Sequence, residues 1–212
     1  MSHSVLIIDD HPLLRRGITQ LLELESDLET AGEASNGDEG LRLAREMRPD
    51  LILLDLNMNG RTGVETLRAM RAEGMDAAIV VLTVSDSDDD IAASLRAGAS
   101  GYLLKDMEPE ALVAQLRRAV AGEIVVSEGL TASLVRALSD DQCQKATELD
   151  NITAREREIL RHLGRGESNK MIARNLGITE GTTKVHVKNL LKKLGFRSRV
   201  EAAICAVHNG PT

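Results

Sequence analysis

The chain has 212 residues, 42% hydrophobic and 28% charged, with one Phe, one Tyr and no Trp. That suits one large domain or two small ones, globular rather than disordered, with aliphatic cores. The net charge of −7 conceals a division, because residues 1–130 carry −12 and residues 151–212 carry +7, so a basic unit suited to a polyanion is expected to follow an acidic one.

The longest apolar runs, such as "AAIVVL" at 77–82, fall far short of the roughly 20 residues that a membrane helix needs. The opening "MSHSVLIIDD" lacks a basic start and reads as fold rather than signal peptide. Cys143 and Cys205 make no metal spacing and no disulfide framework, so a reducing cytoplasm is expected.

In chain order, short apolar runs at 4–8, 28–32, 51–54, 78–82 and 101–104 alternate with stretches whose apolar residues recur three and four apart. Five strands each followed by a helix predict a doubly wound α/β unit with a parallel sheet. The usual strand order for five such units is 2-1-3-4-5. The rhythm fades over 122–150, where "TASLVRAL" at 131–138 suggests one helix inside a polar linker. Four helices and no strand are predicted over 153–208. Thr153 with Glu156 and Ser198 with Glu201 read as capping boxes, and Gly177, Gly195 and Gly210 read as stops. The expected division is 1–121, a linker at 122–150, and a small all-α unit at 151–212.

Four of the apolar runs end on residues that carry chemistry. The first ends in Asp9-Asp10, the third in Asp55, the fourth in Thr83 and the fifth in Lys105. In a parallel sheet these positions share one edge, where open α/β sheets bind ligands. Asp9 and Asp10 can hold a hard cation such as Mg²⁺, and Asp55 can both ligate it and attack a phosphoryl group. Lys105 can pair with that group and Thr83 can donate to it. Taken singly, each has an ordinary reading: Asp9-Asp10 caps the helix opened by Pro12, Thr83 is a strand residue, and Lys105 is a solvated charge. Their joint placement points to a site. "SDSDDD" at 85–90 reads instead as the acidic first turn of the next helix.

The motifs "LIIDDHPLLRRG", "LILLDLNM", Thr83 and "GYLLKD" resemble the receiver domain of two-component response regulators over residues 4–121. The resemblance implies that Asp55 accepts a phosphoryl group from a sensor kinase histidine. It implies Mg²⁺ held by Asp10, Asp55 and the backbone carbonyl of Asn57. It also implies that Thr83 and Tyr102 form a switch pair.

In the basic unit, Thr183, Val187, Leu190, Leu191 and Leu194 make one apolar stripe, and Lys184, Lys188 and Lys192 sit four apart on another face. Val185 falls beside the lysines. An exposed valine there suits a major groove, where it can touch a thymine methyl while lysine reaches guanine acceptors. Thr182, His186, Lys193, Asn169 and Lys170 are placed for phosphates. The other reading is a basic amphipathic helix whose lysines are simply solvated. The preceding helix and the short "GIT" turn favour helix-turn-helix.

"ITAREREIL", "NKMIARNLGITEGTTKVHVKNLLKKL" and "SRVEAA" resemble LuxR/FixJ-type output domains. That resemblance implies Lys184, Val185 and Lys188 on bases and a homodimer through 198–208. Across the whole chain the motifs resemble the NarL/FixJ family of response regulators, in particular its nitrate/nitrite-responsive branch. A nitrate/nitrite sensor kinase as partner, and control of nitrate/nitrite respiration genes, follow from that likeness alone.

Four departures from the family pattern stand out. Asn59 replaces a usual proline, Ala154 another proline, Gly181 a serine and Thr183 a valine. Asn59-Gly60 predicts a loop at 57–63 more mobile than a proline-bearing one. A Mg²⁺-dependent phosphohydrolase using Asp55 is the competing class. It wants an acid/base carboxylate two residues on, where this chain has Asn57. A phosphorelay module without a DNA role is a third class.

Overall fold

A computed structural model describes residues 2–85, 87–127, 130 and 152–208. The first unit alternates strand and helix: β1 (His3–Ile8), α1 (Pro12–Glu23), β2 (Leu28–Ala34), α2 (Gly37–Met47), β3 (Leu51–Leu54), α3 (Gly63–Ala72), β4 (Ala78–Thr83), α4 (Asp88–Ala97), β5 (Gly101–Leu104), α5 (Pro109–Val120) and β6 (Val125–Val126). The sheet is parallel with order β2-β1-β3-β4-β5-β6. The expected order of the first five strands is found. The sixth strand lies inside the stretch read as linker, and two residues are too few to show a period.

Side-chain alternation explains why the strands read as unbroken apolar runs. Leu6, Ile8, Ile52, Leu54, Ile79, Val81 and Tyr102 join one buried cluster with residues of α2, α3 and α4. Val5, Ile7, Leu51, Leu53, Val80, Leu82 and Leu103 join a second with α1 and α5. Both faces of the sheet are therefore covered, and its carboxyl edge stays available for polar residues.

The second unit comprises α6 (Ala154–Gly164), α7 (Asn169–Leu176), α8 (Glu180–Lys193) and α9 (Arg199–His208). Thr153 and Glu156 form the expected capping box. At the second expected box, Ser198 Oγ accepts from the Glu201 amide, and the Glu201 carboxylate accepts from the Arg197 amide. The helix expected at 131–138 lies outside the described residues. Among the described residues no helix is long and apolar enough to cross a membrane.

The two units touch. Arg197 Nη1 donates to the Arg96 carbonyl at the end of α4 (3.1 Å). Val200 and Ile204 of α9 belong to the same apolar cluster as Ile91 and Leu95 of α4.

Candidate functional site

Backbone hydrogen bonds carry the strand ladder one residue past each strand. The Asp9 amide donates to the Ala34 carbonyl (3.1 Å), the Asp55 amide to Ile8 (2.9 Å), and the Lys105 amide to Thr83 (2.9 Å). Asp9, Asp55 and Lys105 are thus fixed in register at one edge. Lys105 Nζ lies 2.7 Å from Asp9 Oδ2 and 2.8 Å from Asp55 Oδ2. Both carboxylates are about 98% buried. Gly63 lets α3 start hard against this edge, since a Cβ there would lie 2.1 Å from the Asp55 carbonyl oxygen.

The electrostatics are unbalanced. Burial pushes the Asp55 carboxyl above the usual carboxylate range; the Lys105 contact opposes this and the Asp9 charge adds to it. Asp55 Oδ1 is buried, and among the described residues no donor meets it in full hydrogen-bond geometry, although the Asn57 backbone amide favours the ionised carboxylate. Asp9, Asp10, His11 and Asp55 each offer a ligand atom, all within 4.8 Å of one another. Mostly hard oxygen donors with surplus negative charge and an orphaned oxygen fit a divalent cation that prefers oxygen.

Three features of the edge escaped the sequence reading. The His11 imidazole sits between Asp9 and Asp10, with Nδ1 3.1 Å and 2.9 Å from their Oδ1 atoms. Arg15 Nη1 donates to the Asp9 carbonyl at 2.6 Å. Asn59 Nδ2 donates to Asp10 Oδ2 at 3.1 Å. The helical period of α1 and the "DDHP" stretch could have raised His11 and Arg15.

The proposed switch residues are both fully buried. The Tyr102 hydroxyl donates to the Ser85 carbonyl (2.9 Å), and Thr83 Oγ1 accepts from the Ser85 amide (3.3 Å). Ser85 Oγ in turn donates to Asp90 Oδ2 in the first turn of α4. Ser85, unremarked in the sequence, therefore joins Thr83 and Tyr102 to that helix.

In the second unit, Thr183, Val187, Leu190 and Leu194 are buried, while Val185 is 57% exposed among the lysines, as its angular position requires. Thr182, Lys184, Lys188, Lys192 and Lys193 are exposed and His186 is half-buried. Several are engaged: Lys184 lies 3.6 Å from Glu180, Lys193 pairs with Glu156 at 2.9 Å, and Lys188 Nζ reaches Asp76 of the first unit at 2.7 Å. Lys170 is exposed.

Asn169 is 8% exposed, its Oδ1 facing Arg199 Nη1 (3.4 Å), and it meets the Gly122 turn of the first unit. As the first residue of α7 it lies at the seam between the units, closed to a phosphate while they are docked.

Residues 5–117 match the family described as "Response regulator receiver domain", and residues 150–206 match "Bacterial regulatory proteins, luxR family". The nitrate/nitrite response regulator protein NarL of Escherichia coli (strain K12) is 50% identical over 95% of this chain and 93% of its own length. The chain belongs to the NarL-type response regulators with a LuxR-type output domain. The regulator is also 46% identical to the nitrate/nitrite response regulator protein NarP of the same organism, over 94% of this chain and 92% of NarP. Among solved structures, the response regulator ChrA of a heme-sensing two-component system is 32% identical, covers 98% of each chain and has a TM-score of 0.54. Salmonella typhimurium RcsB, at 23% identity, 92% and 93% coverage and a TM-score of 0.58, shows the fold alone.

The regulator is thus a receiver joined to a LuxR-type DNA-binding domain. It acts in a two-component system that regulates transcription.

Proposed function

We propose that Asp55 of the regulator accepts a phosphoryl group from a sensor kinase histidine, and that this releases α8 to read promoter DNA. Asp55 attacks phosphorus, an O–P bond forms, and the P–N bond to the kinase imidazole breaks. The Lys105 ammonium pairs with the phosphoryl oxygens and the Thr83 hydroxyl donates to them. Tyr102 changes rotamer as Thr83 moves. Mg²⁺ would be held by Asp10, Asp55 and the Asn57 carbonyl, with Asp9 beside it, and when bound would supply positive charge to the phosphoryl oxygens. The regulator takes part in its own phosphorylation and dephosphorylation without being a turnover enzyme.

Residues 1–121 receive the signal, 122–150 connect, and 151–212 bind DNA. On DNA, Lys184, Val185 and Lys188 face bases. Thr182, His186, Lys170, Lys192 and Lys193 position the helix on phosphates. Two chains pair through 198–208. Its relatives are named nitrate/nitrite response regulators, and on that likeness the partner is a nitrate/nitrite sensor kinase and the targets are nitrate/nitrite respiration genes, read in the cytoplasm.

Before phosphorylation the docked receiver obstructs the approach of α8 to DNA, although the side chains of the reading face stay exposed. Support comes from Lys188 held at Asp76 and from α9 docked on α4. The observation that carries the whole reading is the meeting of Asp9, Asp55 and Lys105 at one sheet edge.

Radiolabelled phosphotransfer from purified sensor kinases, nitrate/nitrite sensors included, tests it. Label is expected on the wild type and absent from Asp55→Asn. Equal labelling of both proteins would sink the assignment. Transcript profiles with and without nitrate should then differ in the wild type and not in Asp55→Asn.

A further inference from the structure

We propose that Asn59 is a positioning residue for the acid pocket, its side-chain amide holding Asp10 in the orientation that receives the cation. This rests on the metal reading above and adds to it a residue outside the carboxylate set.

The contact joins residues 49 apart: Asn59 Nδ2 donates to Asp10 Oδ2 at 3.1 Å. An ionised carboxylate only accepts, so the amide must present its nitrogen, which fixes the otherwise ambiguous side-chain flip. Asn59 stands on the loop that leaves β3 just after Asp55. Gly60 turns that loop through a φ of +85°, a conformation glycine adopts without strain. The loop is therefore placed to lay the Asn59 amide over the end of β1.

The two oxygens of Asp10 are in different surroundings. Oδ2 takes the Asn59 amide, whereas Oδ1 is buried beside His11 Nδ1 at 2.9 Å. With Oδ2 tied, the carboxylate plane is set and Oδ1 keeps its place in the Asp9–His11–Asp55 group. Asp10 is also the least buried of the three aspartates, with 19% of its side chain exposed against 3% for Asp9 and 1% for Asp55. Its rotamer therefore has the greatest need of an outside restraint. Lys105 supplies that restraint to the other two and, among the described residues, makes no ion pair with Asp10. Hydrogen bonds from the outer shell to ligating carboxylates commonly govern metal affinity by about 10–100-fold. A proline at 59 has no donor and cannot do this.

The test is a Mg²⁺ titration of the full chain, followed by ¹⁵N amide shifts of Leu54, Asp55 and Lys105. Asn59→Ala and Asn59→Pro are expected to raise the Mg²⁺ Kd by about 10-fold. Asn59→Gln, which keeps the amide, should recover most of the affinity. Shifts elsewhere in the spectrum establish that each variant is folded, as an exposed loop residue allows. Ala and Pro variants that bind Mg²⁺ within about twofold of the wild type, or a Gln variant no better than Ala, would overturn the proposal. Asp10→Asn separates the two readings. If it leaves Mg²⁺ binding intact, the metal reading fails and Asn59 falls with it. If it abolishes binding while Asn59→Ala does not, only the role of Asn59 fails.

Discussion

Lys105 serves two carboxylates at once, and a third stands beside them. Three potential negative charges against one ammonium at a buried edge is a costly arrangement without a cation. Burying a charge without a full complement of partners commonly costs several kcal/mol. Asp55 bears the strain, because burial raises its pKa above the unfolded value. A raised carboxyl holds its proton more tightly when folded, so its contribution to stability falls as pH rises past the unfolded value. At neutral pH that contribution is unfavourable. Asp55→Asn removes it while leaving Lys105 paired with Asp9. In EDTA the variant should be more stable than the wild type by about 1 kcal/mol in urea unfolding. Adding Mg²⁺ should stabilise the wild type by mass action and leave the variant nearly unmoved. A less stable Asp55→Asn in EDTA would show that the carboxylate is a net structural asset.

Strand and helix periods make the elements legible, whereas contacts set by one rotamer or one turn leave no period. Asp9, Asp55 and Lys105 were legible because strand ends are legible and a parallel sheet collects them. His11 and Asn59 depend on one rotamer and one turn, which no period encodes. The Asn-Gly pair suggested a freer loop, but its amide tether to Asp10 is a restraint that composition could not reveal. Arg71 is the clearest case. Nothing in the spacing of the sequence marks it, yet it is an internal clamp. Nε donates to Gly98 O, Nη1 to Met75 O and Ala77 O, and Nη2 to Ser100 Oγ. Burial lowers its pKa to about 10, so it stays charged at neutral pH. It ties α3 and the α3–β4 turn to the α4–β5 turn. Arg71→Met should cost about 3 kcal/mol, since three carbonyls lose a charged donor. Arg71→Lys should recover little of this, because an ammonium cannot reproduce the planar fork. Urea unfolding of both variants measures the two values; full recovery by lysine would mean that charge alone matters.

At the scale of the molecule, charge segregation is visible in the sequence and the docking of the two units is not. The Lys188–Asp76 pair is exposed on both sides, at 64% and 72%, and such pairs contribute about 0–1 kcal/mol. The apolar seat of Val200 and Ile204 and a polar joint at the end of α5 must therefore hold the units together. That joint turns on Gly122. Its φ of +80° is left-handed, and a Cβ there would lie 2.6 Å from Asn169 Nδ2 and 2.9 Å from Arg199 Nη1. Arg199 is buried and braced by the Glu167 carbonyl at 2.7 Å, so it cannot simply swing away. Asparagine tolerates left-handed backbone, so Gly122→Asn should fold and act as a wedge between the units. Gly166→Asn is the matched control, since Gly166 has a φ of +72° and nothing within 4 Å of its absent Cβ. If docking obstructs the approach of α8 to DNA, the undocked fraction limits the apparent affinity. A wedge worth about 1.4 kcal/mol would tighten binding of the unphosphorylated chain about 10-fold. A labelled duplex of arbitrary sequence at low salt suffices to read this, because a basic unit attracts DNA phosphates without regard to sequence. Fluorescence anisotropy should separate Gly122→Asn from both the control and the wild type. Equal affinities for all three would mean that the docked face is not what restrains the unphosphorylated regulator.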